Sequence, residues 1–113
     1  MQKILKVKKP WGKFEQYTLN EKTTVKIITV NKNQKLSLQK HEKRKELWVA
    51  LDEGLIAEIN GKKKKLKTGQ MVIVPKKAKH RISATKTARF LEISFGHFDE
   101  NDIKRYEDIY GRV

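Results

Sequence analysis

The apolar residues of this chain recur in short segments with a period of two, which is typical of β-strands that bury one face. The turn residues between these segments are equally clear. Asn60-Gly61 is the strongest short hairpin signal, and Gly69 and Pro75 bound one segment on either side. Strands are predicted in this way at 13–19, 24–30, 46–51, 55–59, 62–66, 70–74 and 89–95. Since no helical pattern separates them, they predict an all-β sandwich or barrel.

The C-terminal residues follow a different pattern. Asp99 is a suitable helix cap, and Ile103, Tyr106 and Tyr110 follow it at helical spacing. We therefore expect one short C-terminal α-helix that packs on the β-domain. A chain of 113 residues has the length of one domain, so residues 1–113 are expected to form a single unit.

The formal net charge of the chain is +14 and comes mostly from lysine. Such a charge is compatible with nucleic acid, with a small phosphorylated ligand, or with a lysine-rich solvated surface. The sequence has no helix-turn-helix pattern and no aromatic stacking motif, so nucleic acid is not an expected partner. The four lysines at 62–65 are interpreted as a solvated hairpin arm or a protected edge strand.

The chain has no cysteine, which excludes disulfides and thiolate metal sites. It has no run of about 18 apolar residues, so we expect no transmembrane helix. The N-terminal residues lack the apolar core and the small-residue cleavage site of a signal peptide. Together these features predict a cytoplasmic protein.

Candidate metal ligands lie between two of the apolar segments. Gln39 and His41 are two residues apart, so in a strand their side chains point to the same face. Glu46 opens the next strand, and a hairpin would bring it back beside them. His80 follows Pro75 at the start of another strand and is the expected fourth ligand. Oxygen and nitrogen donors without sulfur suit a divalent ion such as Zn²⁺, Mn²⁺, Fe²⁺, Co²⁺ or Ni²⁺. His97 has no partner at a suitable spacing and is interpreted as structural.

The order Gln-x-His-x4-Glu, followed by Gly-x5-Pro-x4-His, resembles the two motifs of the cupin superfamily. More narrowly, the chain resembles the type II mannose-6-phosphate isomerase cupin domain, which is often fused behind a mannose-1-phosphate guanylyltransferase. The resemblance covers nearly the whole chain. It rests on the stretches Lys9-Pro10-Trp11-Gly12, LSLQKHEKRKELW at 36–48, Lys79-His80-Arg81 and ISFGHFDENDIKRYEDIYGR at 93–112.

The resemblance implies a jelly-roll β-barrel, a homodimer, one bound divalent metal ion and a small phosphorylated sugar as ligand. It also implies interconversion of mannose 6-phosphate and fructose 6-phosphate. The sequence departs from the family pattern at four places, one of them an extra residue between Glu46 and Gly54. Lys43 stands where the family has a second histidine, Lys77 where it has a glycine, and Ala84 near the place of an asparagine.

The same resemblance implies roles for several further residues. Glu92 matches an acidic position of the family and is a candidate for the general base or for a group that orients a ligand. Arg81 matches a motif arginine and is a second candidate catalytic residue. Arg44 matches another motif arginine and either contacts the sugar phosphate or, because it sits in a turn, is exposed at the surface. Arg112 in the family-like ending is a further candidate for phosphate contact, and so, from its strand position rather than from the resemblance, is Lys26.

Two questions stay open at the level of sequence. Trp11 and Trp48 either line the pocket or pack as large apolar side chains in a small barrel. The protein is either a metal-dependent sugar-phosphate isomerase or a non-catalytic cupin. The latter would bind a sugar phosphate or nucleotide sugar and would be the partner of a separate guanylyltransferase.

Overall fold

The computed structural model describes residues 4–113, and in this part of the chain all regular elements are β-strands. Short strands follow from the short alternating segments, because glycine, asparagine and proline interrupt the pattern between them. The strands in chain order are β1 (Leu5–Lys9), β2 (Gly12–Gln16), β3 (Thr23–Val30), β4 (Leu38–Lys40), β5 (Glu46–Ala50), β6 (Leu55–Ile59), β7 (Lys62–Leu66), β8 (Met71–Val74), β9 (His80–Ala84), β10 (Ala88–Phe95) and β11 (Lys104–Glu107).

These strands form two larger antiparallel sheets and one separate hairpin. The first sheet has the order β3-β10-β5-β8, the second has the order β11-β4-β9-β6-β7, and β1 pairs only with β2. The consecutive strands β4 and β5 therefore lie in different sheets, which corrects the hairpin expected between them. The two sheets face each other across a common core, as the predicted sandwich or barrel requires.

Side-chain alternation along the strands divides the apolar residues into two layers. The interior layer includes Trp48 and Phe90, whose rings meet edge to face with centroids 5.6 Å apart. The outer layer lies on the other face of the first sheet and includes Leu47, Val49 and Ile93. Strand β5 is buried on both faces for this reason.

The Asn60-Gly61 turn joins β6 to β7 as predicted. Both residues have positive φ, at 49° and 83°, which is the requirement of a two-residue hairpin turn of the I′ type. The lysines of β7 are exposed, and β7 is the edge strand of its sheet. The interpretation of this run as a lysine-protected edge is thus confirmed.

The predicted C-terminal helix is wrong. Residues 104–107 form β11, in which Lys104 pairs with Lys40 and Arg105 with Gln39. Asp99 accepts a hydrogen bond from the Asn101 amide at 2.9 Å and so stabilises a turn rather than a helix start. The free edge of β4 offers this segment a ladder of backbone partners that outweighs its helical spacing. Across residues 4–113 no helix is long and apolar enough to span a membrane.

Candidate functional site

A cavity of about 160 Å³ opens between the two sheets and is lined from both of them. Strand β10 explains its polarity, because its inward residues change from Ala88 and Phe90 to Glu92 and Ser94 along the strand. The apolar end of the barrel therefore packs solidly, while the other end holds polar groups. The polar residues that line the cavity are Lys26, Gln39, His41, Arg44, Glu46, His80, Arg81 and Glu92.

The four side chains predicted as ligands come together in this cavity. Potential ligand atoms of His41, Glu46 and His80 lie within 4.8 Å of one another, and all three residues are buried. Gln39 pairs with His80 across β4 and β9, so both side chains point to the same face of the sheet. Glu46 reaches the group from the opposite sheet rather than through a hairpin.

Both histidines are oriented to present Nε2 to the cavity. The Nδ1–H of His41 donates to the carbonyl of Asp102 at 2.6 Å, and that of His80 donates to the carbonyl of Ala78 at 2.9 Å. Burial lowers the pKa of each ring, so both are neutral at physiological pH. Neutral imidazoles held through Nδ1, together with one carboxylate, fit a divalent metal ion well.

Arg44 is buried in the same group. Its Nε donates to Glu46 Oε2 at 3.1 Å, and its Nη2 lies 3.2 Å from His41 Nε2. Its Nη1 donates to the carbonyl of Asp99 at 3.1 Å, and its guanidinium stacks on Phe98 at 4.4 Å from the ring centre. Glu46 Oε1 accepts a hydrogen bond from Trp48 Nε1 at 3.1 Å. The carboxylate of Glu46 is therefore fixed on both oxygens.

Glu92 and Lys26 stand side by side at the cavity, because they are register partners on β10 and β3. Burial and the charge of Glu46 raise the pKa of Glu92 to about 7. The Nζ of Lys26 lies 4.3 Å from the centre of the Phe98 ring. Phe98 is thus flanked by two cations that border the cavity, Lys26 and Arg44.

Three residues of the site escaped the sequence analysis. Asp102 lies in the segment predicted to start a helix, and Phe98 directly precedes that segment. Ser94 faces Glu46 across β10 and β5, and its buried Oγ makes no hydrogen bond of normal geometry among residues 4–113, although it is close enough to Glu92 to lower the pKa of that carboxyl. An unpaired buried hydroxyl beside the ligand group is a polar site for water or a ligand atom. The even alternation along β10 is the one signal that places Ser94 on the same face as Glu92.

Two of the expected arginines point elsewhere. Arg81 borders the cavity, but its guanidinium donates to the carbonyl of Leu36 at 2.9 Å and pairs with Glu107 at 3.0 Å. It follows His80 in the strand and therefore projects to the other face of the sheet. Arg112 binds Asp108 and lies over Tyr110, beside a different cleft.

The aromatic residues and the third histidine are also placed clearly. Trp48 belongs to the interior layer and also lines the cavity, so both interpretations of this residue are correct. Trp11 is 72% exposed, and both interpretations of it are wrong. It lies in the tight turn of the β1–β2 hairpin, which projects no side chain into the barrel core. His97 is exposed and outside the ligand group.

The comparison with known proteins decides the family. Residues 1–108 match the model of the family described as mannose-6-phosphate isomerase C-terminal. The chain belongs to this family. It is 34% identical to the mannose-1-phosphate guanylyltransferase ManC of Salmonella typhimurium over 110 residues. It is 31% identical over 110 residues to the alginate biosynthesis protein AlgA of Pseudomonas aeruginosa.

Each of these alignments covers 95% of the chain but only 23% of the relative. This mannose-6-phosphate isomerase C-terminal domain thus spans about a quarter of the length of the curated relatives it matches.

Solved structures with little sequence identity share the fold of this domain. The capsular polysaccharide assembling protein CapF of Staphylococcus aureus superposes with a TM-score of 0.68 at 13% identity. That match covers 95% of this chain and 33% of CapF. Salicylate 1,2-dioxygenase of Pseudoaminobacter salicylatoxidans gives a TM-score of 0.62 at 14% identity, over 65% of this chain and 21% of that chain. The fold is the cupin β-barrel that the sequence motifs implied.

Proposed function

We propose that this domain is a metal-dependent aldose–ketose isomerase that interconverts mannose 6-phosphate and fructose 6-phosphate. One observation carries the proposal: a carboxyl group with a pKa of about 7, Glu92, faces the same cavity as the His41–Glu46–His80 group. A base that titrates near neutral pH beside a potential Lewis-acid site is what proton transfer next to a carbonyl needs. Membership of the family supports the choice of substrate.

The metal ion would be held by Gln39, His41, Glu46 and His80. When bound, it would polarise the sugar carbonyl and orient the neighbouring oxygen atoms. The hydrogen bonds from the two Nδ1 atoms to backbone carbonyls fix both rings for this task. Trp48 holds one oxygen of Glu46 and so limits the rotation of the carboxylate.

Glu92 would move the proton. Its carboxylate takes the proton from C2 of the open-chain aldose while O1 gains a proton, which gives the enediol. The carboxyl group then returns its proton to C1 while the O2 hydroxyl gives up its proton, so that one proton in total passes from O2 to O1 and the ketose is formed. In the reverse reaction the carboxylate takes its proton from C1 of the ketose. Burial keeps the carboxylate poorly solvated, which strengthens it as a base, and Lys26 beside it stabilises its charged form.

The sugar phosphate would bind at the cavity mouth. Lys26 and Arg44 both contact the Phe98 ring and both border the cavity, so they form the nearest pair of cations for an anionic group. Arg112 belongs to a different cleft and has no part in this arrangement.

A non-catalytic role is the alternative, and Arg44 is the observation that favours it. Its guanidinium already satisfies Glu46 and His41 without a metal ion. With Lys43 in place of the family's second histidine, the domain would then bind a sugar phosphate or nucleotide sugar as the partner of a separate guanylyltransferase.

We also propose that the domain acts as a homodimer. The outer face of the first sheet supports this, because two rows of apolar residues cross it in register. One row is Ile27, Leu91, Val49 and Met71, and the other is Val25, Ile93, Leu47 and Ile73. The centre of the rows is already buried within the chain, where Ile4 and Tyr17 pack against it. The residues at the edges of the rows, Val25, Ile27 and Ile73, are about half exposed or more, at 56%, 61% and 48%, and are the part that a partner would cover.

The isomerase proposal is tested by a coupled mannose-6-phosphate isomerase assay on protein that has been stripped of metal and reloaded with single divalent ions. Turnover that depends on the metal and disappears in Glu46→Ala supports the proposal. Bound metal without turnover favours the sugar-binding alternative. Absence of both metal and turnover overturns the site assignment.

A further inference from the structure

Arg44 contacts His41 Nε2, the ring nitrogen that a metal ion would bind. The Nδ1 of His41 carries the proton, because its partner, the carbonyl of Asp102, can only accept a hydrogen bond. The Nε2 of this neutral ring then has one lone pair. The Nη2 of Arg44 can only donate, and it lies 3.2 Å from that nitrogen. The single lone pair of His41 Nε2 is therefore occupied by the guanidinium.

We propose that Arg44 is an internal competitor of the metal ion, so that the guanidinium and the ion exclude each other at His41 Nε2. This inference rests on the proposed metal site. It assigns to Arg44 a role beyond contact with the sugar phosphate: it sets the affinity of the site for metal and stabilises the metal-free protein.

The exclusion is specific to the histidine. Glu46 Oε2 also accepts from Arg44, at 3.1 Å, but a carboxylate oxygen has a second lone pair and can be shared. An imidazole nitrogen cannot be shared in this way. Metal binding therefore requires at least the Nη2 group of Arg44 to withdraw from His41, whatever happens at Glu46.

Charge repulsion acts in the same direction. Arg44 is buried, and a divalent ion on the neighbouring carboxylate would lie within a few ångströms of its positive charge in a poorly screened site. The lost guanidinium contact and this repulsion both oppose metal binding.

The rest of the Arg44 environment shows where the withdrawn side chain would stay. Its Nη1 is bound to the carbonyl of Asp99, and its plane stacks on Phe98. Both contacts hold the guanidinium at the cavity mouth near Lys26, whose Nζ lies 4.3 Å from the centre of the same ring. Release from His41 thus leaves free N–H donors beside a second cation, and an anion bound there would draw Arg44 away from His41. By reciprocity, inorganic phosphate should then strengthen metal binding.

The test is a calorimetric titration of metal-free protein with Zn²⁺ and with Co²⁺. We expect Arg44→Met to bind each ion at least about tenfold more tightly than the wild type, the ratio that corresponds to one charge-assisted hydrogen bond. Arg89→Met is the matched control, because Arg89 pairs with Asp52 at 2.8 Å on the surface. The Arg89→Met protein should bind both metal ions with the affinity of the wild type. Phosphate should tighten metal binding in the wild type and have a smaller effect in Arg44→Met.

The outcomes separate this inference from the proposed metal site. Equal or weaker metal binding by folded Arg44→Met overturns the competition and leaves the metal site standing. Tight binding by the variant with weak binding by the wild type supports the competition. If neither protein binds metal, both the competition and the metal site are overturned.

A measurement on the wild type does not depend on the folding of a variant. The guanidinium protons of Arg44, observed by ¹⁵N-edited NMR, should exchange slowly with water in the metal-free protein. Faster exchange after addition of Zn²⁺ supports the withdrawal of Arg44. Unchanged protection with metal bound would overturn it.

Discussion

The backbone carbonyl of Asp102 accepts the Nδ1–H of His41 at 2.6 Å, across 61 positions of sequence. The carboxylate of the same residue accepts the backbone amides of Glu42 at 2.9 Å and Lys43 at 3.0 Å. One residue of the C-terminal segment therefore fixes both the ring of a proposed ligand and the loop that follows it. This makes Asp102 a positioning residue of the site.

Replacing Asp102 by alanine should weaken metal binding. Asp102→Ala keeps the carbonyl that holds His41 but loses the carboxylate that holds the 42–43 loop, so the ring is oriented less firmly. We expect an affinity for Zn²⁺ about 10-fold lower or more, the usual effect of losing an outer partner of a ligand. Titration calorimetry measures this. Glu100→Ala, an exposed acidic residue of the same segment, is the control and should bind like the wild type. Equal affinities for the two variants would contradict the positioning role.

Glu92 should impose a pH dependence on the reaction. As general base it must be ionised, so kcat/KM should rise as the pH increases through the pKa of this carboxyl. That pKa is about 7 in the metal-free protein, and the inflection of the metal-loaded enzyme should lie lower, because a divalent cation offsets the charge of Glu46. Glu92→Gln should lower kcat/KM by about 10²-fold or more and remove this step from the pH profile. The coupled assay at constant metal concentration measures both. A profile in Glu92→Gln that keeps the same inflection would assign the titration to another group.

The buried carboxyl of Glu92 should make the protein less stable as the pH rises. Its pKa is raised from the ordinary 4.5 to about 7, so between these values the folded state holds a proton that the unfolded state has lost. The free energy of unfolding of the metal-free protein should therefore fall as the pH rises through this window. The buried histidines act in the opposite direction, because burial lowers their pKa values. The difference between wild type and Glu92→Gln in urea denaturation isolates the carboxyl, and a difference that is constant with pH would contradict the prediction.

The convergence of the four ligand candidates could be predicted because it depends on local features. The period of two places Gln39 on one face, and Gly69 and Pro75 delimit the strand before His80. The route by which Glu46 arrives could not be predicted, because a short polar link between two strands is compatible with a hairpin and with a crossing between sheets. Only the pairing of β5 with β10 and β8, distant in sequence, distinguishes them.

The C-terminal segment shows the limit of periodicity. The spacing of Ile103, Tyr106 and Tyr110 fits a helix, and nothing local contradicts it. The decisive contacts are the pairing of β11 with β4 and the hydrogen bonds of Asp102 to residues 41–43. Such contacts join parts of the chain that are far apart, so Phe98 and Asp102 escaped detection as members of the site.

The departure of the sequence at Lys77 should have a measurable cost in stability. Lys77 has a φ of +67° in the turn before β9, at the position where the resemblance seen in the sequence implies a glycine. This conformation costs a residue with a side chain roughly 1–2 kcal/mol, and the greater freedom of unfolded glycine offsets about half of that. Lys77→Gly should therefore raise the free energy of unfolding by about 0.5–1 kcal/mol in urea denaturation.

Lys76→Gly is the control for this substitution. Lys76 is the preceding residue of the same turn, and its φ is not positive. Its replacement by glycine removes the same charge but relieves no backbone strain, so it should lower the free energy of unfolding. A stabilising effect of Lys76→Gly, or a destabilising effect of Lys77→Gly, would contradict the argument from backbone conformation.

Arg81 should behave as a structural residue in spite of its motif position. Its guanidinium ties the carbonyl of Leu36 to Glu107 of β11. Arg81→Ala and Glu107→Ala should each lower the free energy of unfolding. The double variant should be destabilised by about 0.5–1 kcal/mol less than the sum of the two single destabilisations. The kcat/KM of folded, metal-loaded Arg81→Ala should change less than about 10-fold, which is smaller than the rate loss expected when a general acid or base is removed. A large loss of kcat with full additivity in stability would instead restore the catalytic role expected from the sequence.

The exposed ends of the two apolar rows on the first sheet, Val25, Ile27 and Ile73, should form the dimer interface. Ile27 is 61% exposed at the end of one row, and a lysine there would have to be buried without a partner in a dimer. Wild-type protein should therefore be dimeric by light scattering, and Ile27→Lys should be monomeric with unchanged secondary structure. Because each chain carries a net charge of +14, higher ionic strength should strengthen the wild-type dimer.

Ile109→Lys is the matched control for the interface. Ile109 is 51% exposed but lies near the C-terminus, outside the two rows, and the same change of side chain and charge should leave the dimer intact. A monomeric wild type, or a dimer that survives in Ile27→Lys, would exclude this face. If both variants were monomeric, the added charge rather than the apolar rows would control association, and the ionic-strength series would show it by restoring both dimers together.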